Sequence, residues 1–306
     1  MKEEKIPFKC GIVSIIGRPN VGKSTLLNKI LEEKVSIVSK VPQTTRQKIR
    51  GIYNAAQGQI IFIDTPGLHH QRDKLDALMN LNSWGAIGDA DCLIHLVDAN
   101  SPVGREEEEI VQKLQDFKGP IVLGLNKIDL KGKCVEQYLS LYEKGSGKSI
   151  HDLDALIVVP LSGKTGFNIE LLLKLLWERL PEGPALYPQD SICDIPQKMA
   201  VADIIREKLL GLLREELPHA IGVAVEQLQP RRDNLIYVQA SILVERESQK
   251  EIVIGKKGQI LKEAGALARQ ELEALLDSKV YLDLHVKAEK KWRDNAFLLE
   301  EMGYNA

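Results

Sequence analysis

Apolar positions along the chain alternate between two periods. The first half carries continuous apolar runs of strand length, Ile12–Ile16, Ile60–Ile63, Cys92–Val97, Pro120–Leu125 and Leu156–Leu161, separated by stretches of helical period. Uninterrupted apolar strands alternating with helices predict a mainly parallel sheet covered on both faces. Lys48–Asn54 alternates instead, as an edge strand does, and a turn near Gln57-Gly58 joins it to Gln59–Asp64 as a hairpin. Ser36–Arg46 is polar, contains Pro42 and reads as a loop. Leu171–Leu180 is a strongly apolar helix, too short to span a bilayer.

The prolines and glycine of Pro181–Pro188 then interrupt the pattern. Beyond them the order changes to a helix over 198–216, strands at 220–225 and 234–244, a helix over 259–276 and a strand through 280–286. The expected organisation is a first domain over 1–182, a linker over 183–197 and a second, α+β domain over 198–306. A length of 306 residues suits two domains.

Composition adds little beyond this. It is 44% hydrophobic and 27% charged, and the formal net charge of -2 gives no global sign of a nucleic-acid binder, so such a role must rest on a local patch. The four cysteines, Cys10, Cys92, Cys134 and Cys193, form no Cys-x-x-Cys pair and read as buried or inert thiols in a reducing compartment. Met1–Lys5 is charged, without an apolar signal core, and a cytoplasmic location is expected. His95, inside an apolar strand, reads as a satisfied core histidine. His69 and His70 read as loop residues and not as a metal site.

The chemistry concentrates at the ends of the predicted strands, where ligands sit in such sheets. Gly17-Arg18-Pro19-Asn20-Val21-Gly22-Lys23-Ser24-Thr25 follows a strand and opens a helix. Its glycines let successive N–H groups converge on phosphate oxygens, and the helix N-terminus adds its dipole. Lys23 is placed to reach the β- and γ-phosphates and Ser24 to hold magnesium. Further strand ends carry Asp64-Thr65-Pro66-Gly67, Asn126-Lys127-Ile128-Asp129 and Ser162-Gly163-Lys164.

In this order and spacing the motifs resemble the signature of translation-factor-type GTPases, and Thr44-Thr45-Arg46 resembles the Era branch of the TrmE–Era–EngA class. The resemblance implies GTP and GDP as ligands, with magnesium held by Ser24, Thr45 and Asp64. Thr44 is the runner-up for Thr45. Gly67 can bond the γ-phosphate, so the loop after it should order with GTP. Asp129 can accept both the ring N–H and the amine of guanine, with Asn126 and Lys127 as braces and the Ser162-Gly163 backbone on the base carbonyl. The family more often has alanine in place of Gly163. Leu68 stands where many GTPases place a water-orienting glutamine, which implies slow intrinsic turnover. Lys23, Thr45 and Asn20 are then the catalytic candidates. Asn20 matches an asparagine that coordinates an activating potassium ion in related GTPases.

In the second half, Ile254-Gly255-Lys256-Lys257-Gly258 followed by Gln259-Ile260-Leu261 resembles the Gly-x-x-Gly turn of a type II KH domain. The glycines would admit the backbone of a single strand, Lys256 and Lys257 attract its phosphates, and an apolar groove beside them reads bases. Lys287, Lys290, Lys291 and Arg293 extend the positive patch, and Trp292 among them is open to either base stacking or a place on the core. A GTPase domain followed by a lone KH domain resembles the Era family across nearly the whole chain. That family implies binding of small-subunit ribosomal RNA near its 3′ end, assistance to small-subunit maturation, and loose association with the inner face of the cell membrane; a monomer is expected. The alternatives are another TrmE-class RNA-modification GTPase and a nucleotide-bound RNA-binding scaffold with little turnover.

Overall fold

The computed structural model describes residues 7–131, 133–153, 155–232 and 234–304. The expected absence of a signal core at Met1–Lys5 lies outside the described residues. The chain forms two compact units. One comprises Met1–Ser36, Thr45–Gln71 and Met79–Asp194, the other Ile37–Thr44, Arg72–Leu78 and Ile195–Ala306.

Along the chain the first half runs β1 (Lys9–Ile16), α1 (Lys23–Leu31), β2 (Ile49–Ala55), β3 (Gly58–Asp64), α2 (Lys74–Gly88), β4 (Cys92–Asp98), α3 (Arg105–Leu114), β5 (Ile121–Asn126), α4 (Val135–Ser146), β6 (Leu156–Pro160), α5 (Ile169–Arg179) and β7 (Cys193–Asp194). The sheet order is β6-β5-β4-β1-β3-β2-β7. β1 pairs in parallel with both β3 and β4. The strand order therefore reverses on either side of β1, and the phosphate loop leaves its carboxyl end at that switch point. Every residue of β3 and β5 is buried, which is why these strands read as unbroken apolar runs.

β2 is expected to alternate as an edge strand, but Gly51 and Ile52 are both buried and its outer side is flanked by β7, which pairs Cys193 with Gly51 and Asp194 with Arg50. This two-residue strand arises within the stretch expected to be linker, too short to show an alternating pattern. Cys193 on it is exposed and Cys134 half-buried, so of the four thiols expected to be buried or inert only Cys10 and Cys92 are buried. His95 is fully buried in the core, as expected, but only half satisfied: Nδ1 lies 2.8 Å from the Tyr142 hydroxyl, while Nε2 has no hydrogen-bond partner among the described residues.

The second half runs α6 (Gln197–Leu212), α7 (Leu217–Ala220), β8 (Gly222–Arg232), β9 (Leu235–Val244), α8 (Glu247–Ile254), α9 (Gln259–Leu275), β10 (Lys279–Ala288) and α10 (Ala296–Glu301). Its sheet order is β10-β9-β8, with β9 antiparallel to β8 and parallel to β10. Alternate strand residues Val238, Ala240, Ile242 and Val244 pack with Ile205, Leu209, Ala264, Ala268 and Leu272 of α6 and α9 into one core.

Within this unit the runs 37–44 and 72–78 are held by two arginines. Buried Arg206 donates to the Thr44 carbonyl and pairs with Asp203 at 2.7 Å. Arg293 pairs with Asp73 at 2.5 Å and with Asp76 at 3.0 Å, and also donates to the His219 carbonyl. Trp292 is fully buried and its Nε1–H donates to the Ala220 carbonyl at 3.0 Å. It belongs to the core and cannot stack on a base. Among the described residues no helix is long and apolar enough to cross a membrane.

Candidate functional site

The phosphate loop is built by backbone strain that its sequence anticipates. Gly17 has φ 148°, and a Cβ there would lie 2.2 Å from the Leu96 carbonyl oxygen. Gly22 opens α1 at φ 103°, where a Cβ would reach 2.4 Å from Asn126 Nδ2. Asn20 is left-handed too, at φ 63°. Lys23 lies in the loop's interior, its Nζ donating to the carbonyls of Gly17 (3.0 Å) and Arg18 (2.9 Å). Burial lowers its pKa to about 8 against the pull of Asp64 and Glu107. A phosphate at this position would hold the ammonium charged.

Beside it three hard oxygen donors meet. Ser24 Oγ lies 2.7 Å from Thr45 Oγ1 and 2.6 Å from Asp64 Oδ2, and Thr45 Oγ1 is 3.4 Å from the same carboxylate oxygen. Ser36 Oγ adds a third hydroxyl contact to Asp64 at 2.8 Å. Asp64 is fully buried, and its Oδ1 has no hydrogen-bond partner among the described residues. Burial raises its pKa, opposed by Lys23 and the three hydroxyls. A buried carboxylate with an unused oxygen and two adjacent hydroxyls fits magnesium, which prefers oxygen ligands. Thr44 is turned away, its hydroxyl donating to the Val41 carbonyl at 2.6 Å.

Gly67 packs on the phosphate loop so closely that a Cβ would fall 2.6 Å from Pro19 N. Leu68 is buried at 4% exposure, its N–H donating to the Gly17 carbonyl, so its side chain offers nothing to a water molecule. Thr65 donates to the Ile15 carbonyl and serves the sheet.

The base-binding motifs are tied to the same loop. Asn126 Nδ2 donates to the Val21 carbonyl at 2.7 Å, while its Oδ1 accepts from Gly163 N–H at 2.9 Å. Lys127 Nζ donates to the Asn20 carbonyl at 2.7 Å and pairs with Asp98 at 2.8 Å. Asp129 stands exposed on a short turn, Ile128–Leu130, with Lys164 exposed on the neighbouring loop. Alanine in place of Gly163 would set a Cβ 3.1 Å from Leu26 Cα, so glycine here relieves a tight approach to α1.

Ser36, Asp98 and Glu107 were not anticipated. Asp98 ends β4 at the same carboxyl end of the sheet as the other motifs, a signal the sequence did contain. Glu107 did not stand out, because it sits in the acidic run Glu106–Glu109. It is wholly buried against the Arg18 guanidinium, and burial raises its pKa to about 7 despite that partner. Arg18 also donates to the Pro102 carbonyl at 3.2 Å, so only its backbone faces the phosphate position.

In the second unit, α8 and α9 are joined by the Gly-x-x-Gly turn. Gly255 has φ 75°, and a Cβ would meet Ile260 Cγ1 at 2.7 Å; Gly258 has the same φ in open space. Lys256 and Lys257 are exposed on the turn, Ile254 is half-buried beside it, and Lys290 and Lys291 are exposed after β10. Lys287 is paired with Glu226 at 2.6 Å. Arg293 does not join the positive patch: its charge is met by Asp73 and Asp76, which sequence spacing could not reveal.

A model of the 50S ribosome-binding GTPase family matches residues 12–127, and a KH domain model matches residues 216–293. The GTPase Era of Halothermothrix orenii is 42% identical over 298 residues, covering 97% of this chain and 99% of that one. The GTPase Era of Geobacter metallireducens is 44% identical over 301 residues, covering 97% and 98%. A crystal structure of Era in complex with MgGDPNP and nucleotides 1506-1542 of 16S ribosomal RNA superposes with a TM-score of 0.89 at 38% identity, over 98% of this chain and all of that one. A singly substituted Aquifex aeolicus Era bound to GDP.AlF4- gives a TM-score of 0.88 at the same identity and coverage. The fold is thus a P-loop GTPase domain followed by a KH domain, and the chain belongs to the Era family of GTPases.

Proposed function

We propose that this chain is a GTP-hydrolysing switch that binds single-stranded small-subunit ribosomal RNA near its 3′ end and assists small-subunit maturation. The observation that carries the reading is the joint presence of the Ser24–Thr45–Asp64 oxygen cluster beside buried Lys23 and a Gly-x-x-Gly turn bearing two exposed lysines. The relative crystallised with MgGDPNP and 16S ribosomal RNA supports the pairing of these ligands. The KH match at residues 216–293 leaves the RNA-modification alternative with nothing in its favour.

In this reading backbone N–H groups of Gly17–Thr25 cradle the phosphates and Lys23 balances charge on the β- and γ-oxygens. Magnesium at Ser24, Thr45 and Asp64 would neutralise charge as the phosphate bond breaks. Thr65, Pro66 and Gly67 form the γ-phosphate wall. Asp129 selects guanine, and Asn126, Lys127 and Ser162–Lys164 hold the base pocket in shape. Ile254, Gly255–Gly258, Lys290 and Lys291 carry the RNA, with Lys287 at the margin.

Thr45 and Gly67 lie next in sequence to, or close before, the runs 37–44 and 72–78 that cluster with the second unit. Chain continuity thus offers a route by which γ-phosphate could alter those runs. The linking passage lies within 183–197, between domains spanning 1–182 and 198–306. A cytoplasmic monomer, with peripheral contact at the inner face of the membrane, completes the reading.

Purified protein should turn over GTP slowly, and faster with RNA or small subunits present. No turnover under either condition would leave a nucleotide-bound scaffold. A monovalent cation at Asn20 is the finer part of the proposal. Potassium should then raise the rate above sodium at fixed ionic strength, and Asn20→Ala should remove the difference; equal rates in the wild type remove potassium from the account.

A further inference from the structure

The helices α6 and α9 cover one face of the β8–β9–β10 sheet, and the alternation of the strands sends another set of side chains to the opposite face. At one end that face is closed: Gly222, which begins β8, lies under Trp292 and Met302, whose atoms would stand 2.8 Å from a Cβ there. At the other end it is open and carries aromatic and basic groups. Tyr237 of β9 and Tyr281 of β10 are directly paired across the parallel ladder. Their rings are stacked, with centroids 5.8 Å apart and an interplanar angle of 24°. Arg231, on an irregular stretch of β8, sets its guanidinium 3.8 Å from the Tyr237 ring centre. Tyr237 is buried by these neighbours, whereas Tyr281 is 60% exposed.

Polar groups continue the pattern. The next cross-strand row is Gln227, Gln239 and Asp283, with Asp283 accepting from the Tyr237 hydroxyl at 3.2 Å. Lys279, at the start of β10 and two positions before Tyr281, is exposed, with Nζ 3.8 Å from Glu273 Oε2. An aromatic ring presented from a sheet, a cation on each side and a row of amide and carboxylate groups match the parts of one nucleotide. The ring stacks on the base, the amides meet base edges, and the cations meet phosphate. Most protein partners would want a wider apolar patch than one ring.

We propose that this open sheet face is a second RNA surface, on which Tyr281, backed by Tyr237, receives a base of single-stranded RNA while Arg231 and Lys279 meet its phosphates. It is separate from the Gly-x-x-Gly turn between α8 and α9, and it rests on the reading that this domain binds RNA. A strand longer than the turn can hold would engage both surfaces, and a short one only the turn.

The test uses the full chain and two unstructured oligoribonucleotides, one of about 5 nucleotides, which the turn can fill, and one of about 20. Tyr281→Ala should weaken the longer RNA about fivefold or more and leave the shorter unchanged, while Tyr281→Phe keeps the wild-type affinity. Ultraviolet cross-linking of the longer RNA to the wild type should label the β10 peptide containing Tyr281. Lys256→Asp with Lys257→Asp should weaken both RNAs. Unchanged affinity of Tyr281→Ala for the longer RNA, or cross-links confined to the Gly-x-x-Gly turn, overturns the second surface and leaves the first intact. Failure of the wild type to bind either RNA overturns both.

Discussion

Replacing Asn126 by alanine should damage nucleotide binding out of proportion to its size. The side chain is 2% exposed and joins two loops that lie far apart in sequence, donating to the Val21 carbonyl at 2.7 Å and accepting from Gly163 N–H at 2.9 Å. Truncation leaves a buried carbonyl and a buried N–H without partners. Such groups cost about 1–3 kcal/mol each, with water entering the gap holding the sum to about 2–4 kcal/mol. If the loops find their shape only through this clamp, nucleotide affinity falls roughly 30- to 1000-fold. Asn126→Asp is the sharper probe. It keeps the acceptor for Gly163 but turns an oxygen toward the Val21 carbonyl, so it should be at least as damaging. Titration of a fluorescent GDP analogue measures both variants, and thermal unfolding without nucleotide separates lost affinity from lost fold. Affinities within about threefold of wild type, under 1 kcal/mol, would refute the clamp.

Two further outcomes follow from single groups. Asp129→Asn should weaken GTP and admit xanthosine triphosphate, whose carbonyl replaces the guanine amine; unchanged GTP affinity by titration would remove Asp129 from base recognition. His95 is held neutral, with burial, then Lys23 and Arg18, lowering its pKa from 6.5 to about 3. Protonation therefore favours the unfolded chain: the contribution is complete above pH 6.5 and is lost as pH falls toward 3. Relative to pH 7.5 this group should cost about 2 kcal/mol of stability at pH 5. Denaturant melts at the two pH values should show the difference shrinking by that amount in His95→Gln, and an unchanged difference contradicts the assignment.

How much could be read in advance differs between the two halves for physical reasons. Strands such as β3 and β5 are buried throughout, so composition alone marks them, and the loops at their ends need particular residues at Gly17, Gly22 and Asn126 because backbone and side chain approach within van der Waals distance. Such constraints leave a pattern in sequence. β7 leaves none, because two residues paired to an edge carry no periodicity. Glu107 stays hidden and Arg293 reads as part of the positive patch because a charge reads as solvated until its partner is known. Arg18 lies 89 positions before Glu107, and Asp73 lies 220 before Arg293. Trp292 was ambiguous because the feature that decides it, the Ala220 carbonyl under its indole N–H, comes from a distant turn.

A GTP-controlled switch requires that bound nucleotide govern RNA binding through the Gly-x-x-Gly turn. Its most direct test is the affinity of the full chain for single-stranded RNA from the 3′ end of the small-subunit ribosomal RNA, measured with a non-hydrolysable GTP analogue and again with GDP. Binding should be tighter with the GTP analogue, and RNA binding should be lost in both states when Lys256 and Lys257 are replaced by aspartate, with nucleotide affinity unchanged. Equal RNA affinity in the two nucleotide states, or RNA binding that survives the lysine replacements at moderate salt, would contradict it.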